Sequence, residues 1–155
     1  MSKTKMRPPN YSVLQVKTFS LSNKEKGRII EFLKNELSKD KRVVSAFLYG
    51  SFLDEDLFRD IDVGVFIRDT NSLPPLYEFQ LGDKLSRALK DAFPVEVRII
   101  NEAPVTFLYH VIKGKLLLCR DEDFCSEFVA IVARKYNDIQ PILNHYTKEA
   151  YGRSD

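Results

Sequence analysis

The chain has 155 residues, with 24 Lys+Arg against 22 Asp+Glu and a formal net charge of +2. That length holds one domain and leaves little room for a second core, and a domain of this size buries on the order of 70% of its unfolded surface. Nearly balanced charges exclude the strongly basic profile of a dedicated nucleic-acid binder, and eleven Phe, seven Tyr and only six Gly exclude disordered and low-complexity classes.

Residues 1–10 hold two prolines and three positive charges and read as a flexible basic tail. With no apolar segment behind them they do not read as a secretory signal. Residues 11–155 then form the folded domain, ending in a helical extension. Tyr11 to Leu21 alternates loosely, as an extended or edge segment does. Ser22 followed three residues later by Glu25 is a capping box, and Ile29, Ile30, Leu33 and Leu37 recur behind it at helical spacing, so 23–38 is predicted to be an amphipathic helix. Its interleaved charges make a solvated face rather than an RNA track.

Val43–Tyr49 reads as a strand buried on both faces. Ile61–Ile67 and Val95–Ile100 read as two more strands, separated by a helix over 75–92 that carries Leu76, Phe79, Leu85, Leu89 and Phe93. Ala103-Pro104 opens a short helix through Val111 or Ile112. In it, Asn101 or Glu102 sits near the cap. Gly114 closes that helix, Lys115–Cys119 is a final strand, and the chain is helical from Asp121 until Pro141 bends or breaks it. The predicted order is β, α, β, short α, β, α, β, α, β, α, a single mixed α+β domain. Cys119 and Cys125 are expected to be reduced, buried small side chains. No apolar run approaches the ~18 residues of a membrane span, so the expected compartment is the cytoplasm.

The chemistry concentrates in Leu48-Tyr49-Gly50-Ser51, followed after eight residues by Asp60-Ile61-Asp62-Val63. On a strand, Asp60 and Asp62 share one face while Ile61, Val63, Val65 and Ile67 feed the core from the other. Two carboxylates held side by side repel unless a cation lies between them, and hard oxygen ligands at that spacing suit Mg²⁺ together with a phosphate. Gly50 lets backbone approach a ligand closely, and the Ser51 hydroxyl with free N–H groups can hold a phosphate. Glu96, the acidic residue of an otherwise apolar strand segment, is the candidate third carboxylate of a metal-assisted transfer site.

This arrangement of hydrophobic strand, Gly-Ser, short insertion, Asp-x-Asp and later strand acid resembles the DNA polymerase β-like nucleotidyltransferases. The small size points within them to the minimal nucleotidyltransferases (MNT). Ile100-Asn101-Glu102-Ala103-Pro104 and the later Tyr109-His110-Val111-Ile112-Lys113-Gly114 are similar to a segment of the MNT-domain antitoxins that pair with HEPN-domain toxins, and Tyr136-Asn137-Asp138 resembles their Tyr-x-Asp. The resemblance spans roughly residues 25–140. It implies that Gly50 and Ser51 bind the triphosphate of ATP. It also implies that Asp60 and Asp62 ligate Mg²⁺, with Glu96 as third acid. The implied reaction is transfer of AMP to a tyrosine hydroxyl of a HEPN ribonuclease toxin. Asn101-Glu102 would then line the nucleotide site. The chain departs from that pattern in a shorter Ser51–Asp60 gap, in the acidic Asp54, Glu55 and Asp56 within it, and in Glu rather than Asp at 96.

Two other functions stay open on the sequence: nucleotide transfer to a small molecule such as an aminoglycoside, and a non-catalytic antitoxin that acts by contact. Neither direct nucleic-acid binding nor membrane association is expected, and homo-oligomerisation stays open. His110 and His145 lack neighbouring ligand sets and read as ordinary histidines. Tyr136, Ile139, Ile142, Leu143 and Tyr146 form an apolar stretch around Pro141 that docks either on the body or on a partner.

Overall fold

A computed structural model describes residues 17–151, with side chains as far as His145. The basic tail 1–10, residues 11–16 of the extended segment and the Tyr146 side chain lie outside that range. In chain order the elements are β1 (Phe19–Ser20), α1 (Asn23–Ser38), β2 (Val43–Tyr49), α2 (Ser51–Asp54), β3 (Leu57–Phe58), β4 (Ile61–Ile67), a 3-10 turn (Thr70–Ser72), α3 (Tyr77–Ala88), β5 (Val95–Ile99), α4 (Val105–Ile112), β6 (Lys115–Cys119) and α5 (Glu122–Tyr151). This is the mixed α+β domain expected from the sequence.

The main sheet has the order β5-β4-β2-β6, with β4 and β5 parallel and the other pairs antiparallel. Every residue of β2 is buried, as a central strand covered on both faces requires. Ala46, Leu48, Ile61, Val63, Val65, Val95 and Val97 face one layer, where Ile30, Leu33 and Leu37 of α1 and Leu81 and Leu85 of α3 pack. Phe47 and Tyr49 face the other, against Val111 of α4 and Phe128 of α5. The period-2 alternation of the strands thus supplies two cores. In the second, Gly64 lies in close packing: a Cβ there would stand 3.0 Å from Ile100 and 3.2 Å from Val111. The capping box of α1 forms, with Ser22 Oγ accepting from the Glu25 N–H at 3.2 Å and Glu25 Oε1 accepting from the Ser22 N–H at 3.3 Å.

Several expectations are corrected. The helix read over 75–92 is Tyr77–Ala88, because Leu76, Lys90 and Asp91 take left-handed φ of 60°, 58° and 55°. Its buried stripe is Tyr77, Leu81 and Leu85, spaced by four. Phe79 lies across the helix axis from that stripe and is 73% exposed. The two-residue strand β3, absent from the sequence reading, pairs with β1 through Phe19↔Phe58. Phe58 is buried against Phe52, Phe19 and Phe93. Helix α5 is not broken at Pro141; residues 137 and 141 are exposed there, so water can serve the carbonyl that proline leaves without a donor. Asp121 caps α5 through its Oδ1, which accepts from the Phe124 N–H at 3.1 Å. Cys125 is buried, but Cys119 is only half-buried. Burial, with Cys119 as neighbour, pushes the Cys125 thiol up to about 12. Among the described residues no helix is long and apolar enough to cross a membrane.

Candidate active site

Two neighbouring strands, β4 and β5, deliver the acidic residues to one point, and β2 sets Tyr49 beside them. The β2–β4 register sets Tyr49 opposite Asp62, and the β4–β5 register sets Asp62 opposite Glu96. Asp60, immediately before β4, projects to the same face by the period-2 rule. One carboxylate oxygen from each of Asp60, Asp62 and Glu96 lies within 4.8 Å of the others. The chain folds this way locally because Ile61 and Val63 are drawn into the opposite core, which leaves the even-numbered positions to this face.

Gly50 and Ser51 follow β2 directly, with Gly50 as N-cap of α2 at φ 86° and ψ −159°. Its left-handed φ favours glycine. A Cβ on it would stand 2.6 Å from Asp62 Oδ2, so the Gly-Ser turn and the Asp-x-Asp strand are in direct contact. The first N–H groups of a helix have no intrahelical partner, and α2 starts at Ser51, directly after that turn.

Charge is concentrated at Asp62. Its carboxyl is raised to about 6, first by burial and then by Asp60 and Glu96, while Arg98 acts in the opposite sense. The phenol of Tyr49 is raised too, by burial first and by the Asp62 charge second. Tyr49 is fixed edge-on between Phe107 at 5.7 Å and His110 at 5.5 Å, so His110 serves as a packing ring.

Arg98 is a component the sequence reading missed. Its guanidinium donates to Glu96 Oε1 at 3.3 Å and lies 5.7 Å from the centroid of Phe107. Glu96 is therefore paired on its own strand. The signal was available in the spacing, since residues two apart share a strand face. The acidic insertion does not load the site: Asp54, Glu55 and Asp56 are exposed and do not contribute to the charge felt by Asp62. Asn101 is not a helix cap, a position held by Pro104. Its amide instead accepts from the Ile67 N–H at 2.9 Å and donates to the Ile67 carbonyl at 2.8 Å, mimicking a strand partner at the end of β4. Tyr136 stacks on Tyr109 with centroids 3.7 Å apart.

Several cavities border the sheet. One of about 490 Å³ between α3 and β5 reaches the carboxylates through Glu96. Another of about 560 Å³ is lined by Phe66, Phe124 and Phe128 under α5, with Asn101 and Glu102 at its edge.

A cluster of strand carboxylates beside a glycine-led helix start defines a class, the nucleotide-transferring α+β enzymes. The profile of the family described as polymerase beta, nucleotidyltransferase matches residues 31–123, more than half of the chain. The chain belongs to this polymerase beta nucleotidyltransferase family. Members generally use a divalent metal ion with ATP, and the acidic cluster that such use needs is present. A comparison with curated proteins finds no significant match. Among solved structures the chain is similar to one in a complex of MNT antitoxin with tri-AMPylated HEPN toxin from Shewanella oneidensis, at 20% identity and a TM-score of 0.59, over 84% of this chain and 99% of that one. It is similar to a chain of the MntA–HepT toxin–antitoxin complex at 20% identity and a TM-score of 0.58, over 84% and 99%. A chain of a toxin–antitoxin structure with AMP-PNP aligns at 23% identity and a TM-score of 0.54, over 79% and 98%. At these identities the likeness shows the fold.

Proposed function

We propose that this domain is an antitoxin that transfers AMP from ATP to a tyrosine hydroxyl of a HEPN-domain toxin, with Asp60, Asp62 and Glu96 as catalytic, metal-binding carboxylates and Gly50 and Ser51 as the nucleotide-binding pair. The observation that carries this reading is the contact between the Gly50 turn and the three-carboxylate cluster. Similar chains come from complexes described as carrying an AMPylated HEPN toxin and AMP-PNP. Nearly the full span of those chains, 99%, aligns with 84% of this one.

The donor set fits Mg²⁺. Three carboxylate oxygens within 4.8 Å approach the ~4 Å that separates opposite ligands of an ion with ~2.1 Å bonds. Burial first, and then repulsion from Asp60 and Glu96, raises the Asp62 carboxyl, and a divalent cation relieves the second of these. When bound, the ion supplies positive charge to the phosphates and to the carboxylates that hold it. Gly50 allows the phosphates to approach the backbone, and the Ser51 hydroxyl and first N–H groups of α2 donate to them. The acceptor oxygen forms a bond to the α-phosphorus as the bond from that phosphorus to the oxygen bridging the β-phosphorus breaks. Pyrophosphate leaves, and the acceptor proton passes to Glu96.

Intact mass of a HEPN protein, incubated with this chain, ATP and Mg²⁺, tests the reading. Gain in whole AMP units that disappears with Asp60→Ala/Asp62→Ala is the expected result. A tight complex with no gain would leave an antitoxin that acts by contact and would end the transfer reading for that partner.

A further inference from the structure

The groove of about 490 Å³ between α3 and β5 has Glu96 and Arg98 in its wall, so it borders the carboxylate cluster at Glu96. It lies along an edge strand whose outward donors are partly covered. The Val95 N–H donates to Ser86 Oγ at 2.9 Å and the Ile99 N–H to Glu78 Oε2 at 2.8 Å, so side chains of α3 take the outward donors at the two ends of β5. With both ends of the edge taken, a segment entering here is recognised mainly by side chains.

Those side chains have a definite character. Phe79, in the groove wall, is 73% exposed, and Leu76, three residues earlier, is 75% exposed. Neither is used by the core. Glu78, Asp83 and Glu96 place three carboxylates along the groove, against the guanidinium of Arg98 in its wall and that of Arg87 beside Asp83. Asp83 meets only the largely exposed Arg87 at 3.0 Å, and Glu96 meets Arg98 at 3.3 Å; exposed pairs of this kind hold little energy and exchange readily. An apolar ring beside excess negative charge complements a segment that is both aromatic and basic.

We propose that this groove is the acceptor site, receiving a peptide segment whose tyrosine is flanked by Lys or Arg, with Phe79 against an apolar or aromatic side chain of that segment and Glu96 at the acceptor hydroxyl. This rests on the nucleotidyl-transfer reading and adds to it the side from which the acceptor enters and the sequence character it carries. Phe79 and Asp83 select the segment; they take no part in the chemistry.

The test separates recognition from transfer. Fluorescein-labelled peptides carrying one tyrosine, flanked either by arginines or by glutamates, are titrated with the full chain and binding is read by anisotropy without nucleotide. The wild type is expected to prefer the arginine peptide. Phe79→Ala should weaken its binding about tenfold, with an unchanged thermal midpoint because the ring is exposed. Asp83→Lys should reverse the preference. Equal or absent binding of the two peptides by the wild type, or a dissociation constant within about twofold of wild type in both variants, overturns the proposal. So does loss of a self-associated dimer in Phe79→Ala without peptide binding, which would give this face to a second copy. Mass gain on the bound peptide with ATP and Mg²⁺ then judges transfer separately: Asp60→Ala/Asp62→Ala should bind the peptide and leave its mass unchanged.

Discussion

Burial, and after it the charges of Asp60 and Glu96, hold the carboxyl of Asp62 near 6, against about 4 in an unfolded chain. Between these values the folded state binds more protons than the unfolded one, so stability falls as pH rises through this window and stays reduced above it. Asp62 is only half-buried, and solvent screening brings the cost to the order of 1 kcal/mol. Asp62→Asn should therefore raise the melting temperature of the metal-free protein at pH 7.5 by about 2–4 °C, a gain that vanishes near pH 4, while AMP transfer is lost. Melting curves at both pH values check the first part and mass spectrometry the second. Gly50→Ala acts on the same carboxylate: its Cβ would stand 2.6 Å from Asp62 Oδ2, on a residue with φ 86°. Displacing a reacting group by an ångström costs on the order of 100-fold, and that loss of transfer is expected with the fold retained by circular dichroism. At this scale the sequence was legible where strand parity governs, as for Asp60 and Asp62. Arg98 was not, because attention to apolar alternation in Val95–Ile99 made Glu96 look solitary.

The junction between α1 and β2 shows how elements are fastened together. Asp40, 9% exposed, accepts from the Arg42 N–H at 3.0 Å and its Nε at 2.9 Å, and from the Tyr77 hydroxyl of α3 at 2.7 Å. Arg120, just past β6, donates to the carbonyls of Ser38, Asp40 and Val43. Burial pushes the Asp40 carboxyl up, but the Arg42 and Tyr77 hydrogen bonds prevail and hold it below its ordinary value. A depressed carboxyl stabilises fully above the unfolded value near 4, and its contribution is lost as pH falls through the lower folded value. Tyr77→Phe keeps the ring under Arg42 and removes one bond to a charged acceptor, which should cost about 2 kcal/mol at pH 7. Urea midpoints should show that difference shrinking once the pH drops below 3.8. Elements with a local cause were readable from sequence: the capping box of α1 and the apolar run of β2. Those with a tertiary cause were not. β3 has only two residues and exists through its pairing to β1 and the burial of Phe58. The start of α3 is set by a left-handed Leu76 that no periodicity announces, and Asn101 closes β4 across 34 residues of sequence.

At the scale of the molecule the site is a by-product of sheet order. Crossing from β2 to β4 to β5 brings Tyr49, Asp62 and Glu96 into one row, while α1 and α3 pack the reverse face. Negative charge is thus imposed by the fold on a place where the fold gains nothing from it. A ligand that binds only this assembled row adds its full binding free energy to stability, as RT ln(1 + [L]/Kd). Mg²⁺ at about 100 times its dissociation constant should contribute about 2.7 kcal/mol, or roughly 5–10 °C for a domain of this size. Asp62 must be deprotonated to bind, so the shift should be large at pH 7.5 and small at pH 5, below its value of about 6. Chelation should reverse it. In Asp60→Ala/Asp62→Ala the row loses two of its three carboxylates, and the Mg²⁺-induced shift should disappear at every pH. The same thermal shift in wild type and double variant would place the ion elsewhere, and a shift insensitive to pH would remove Asp62 from its ligands.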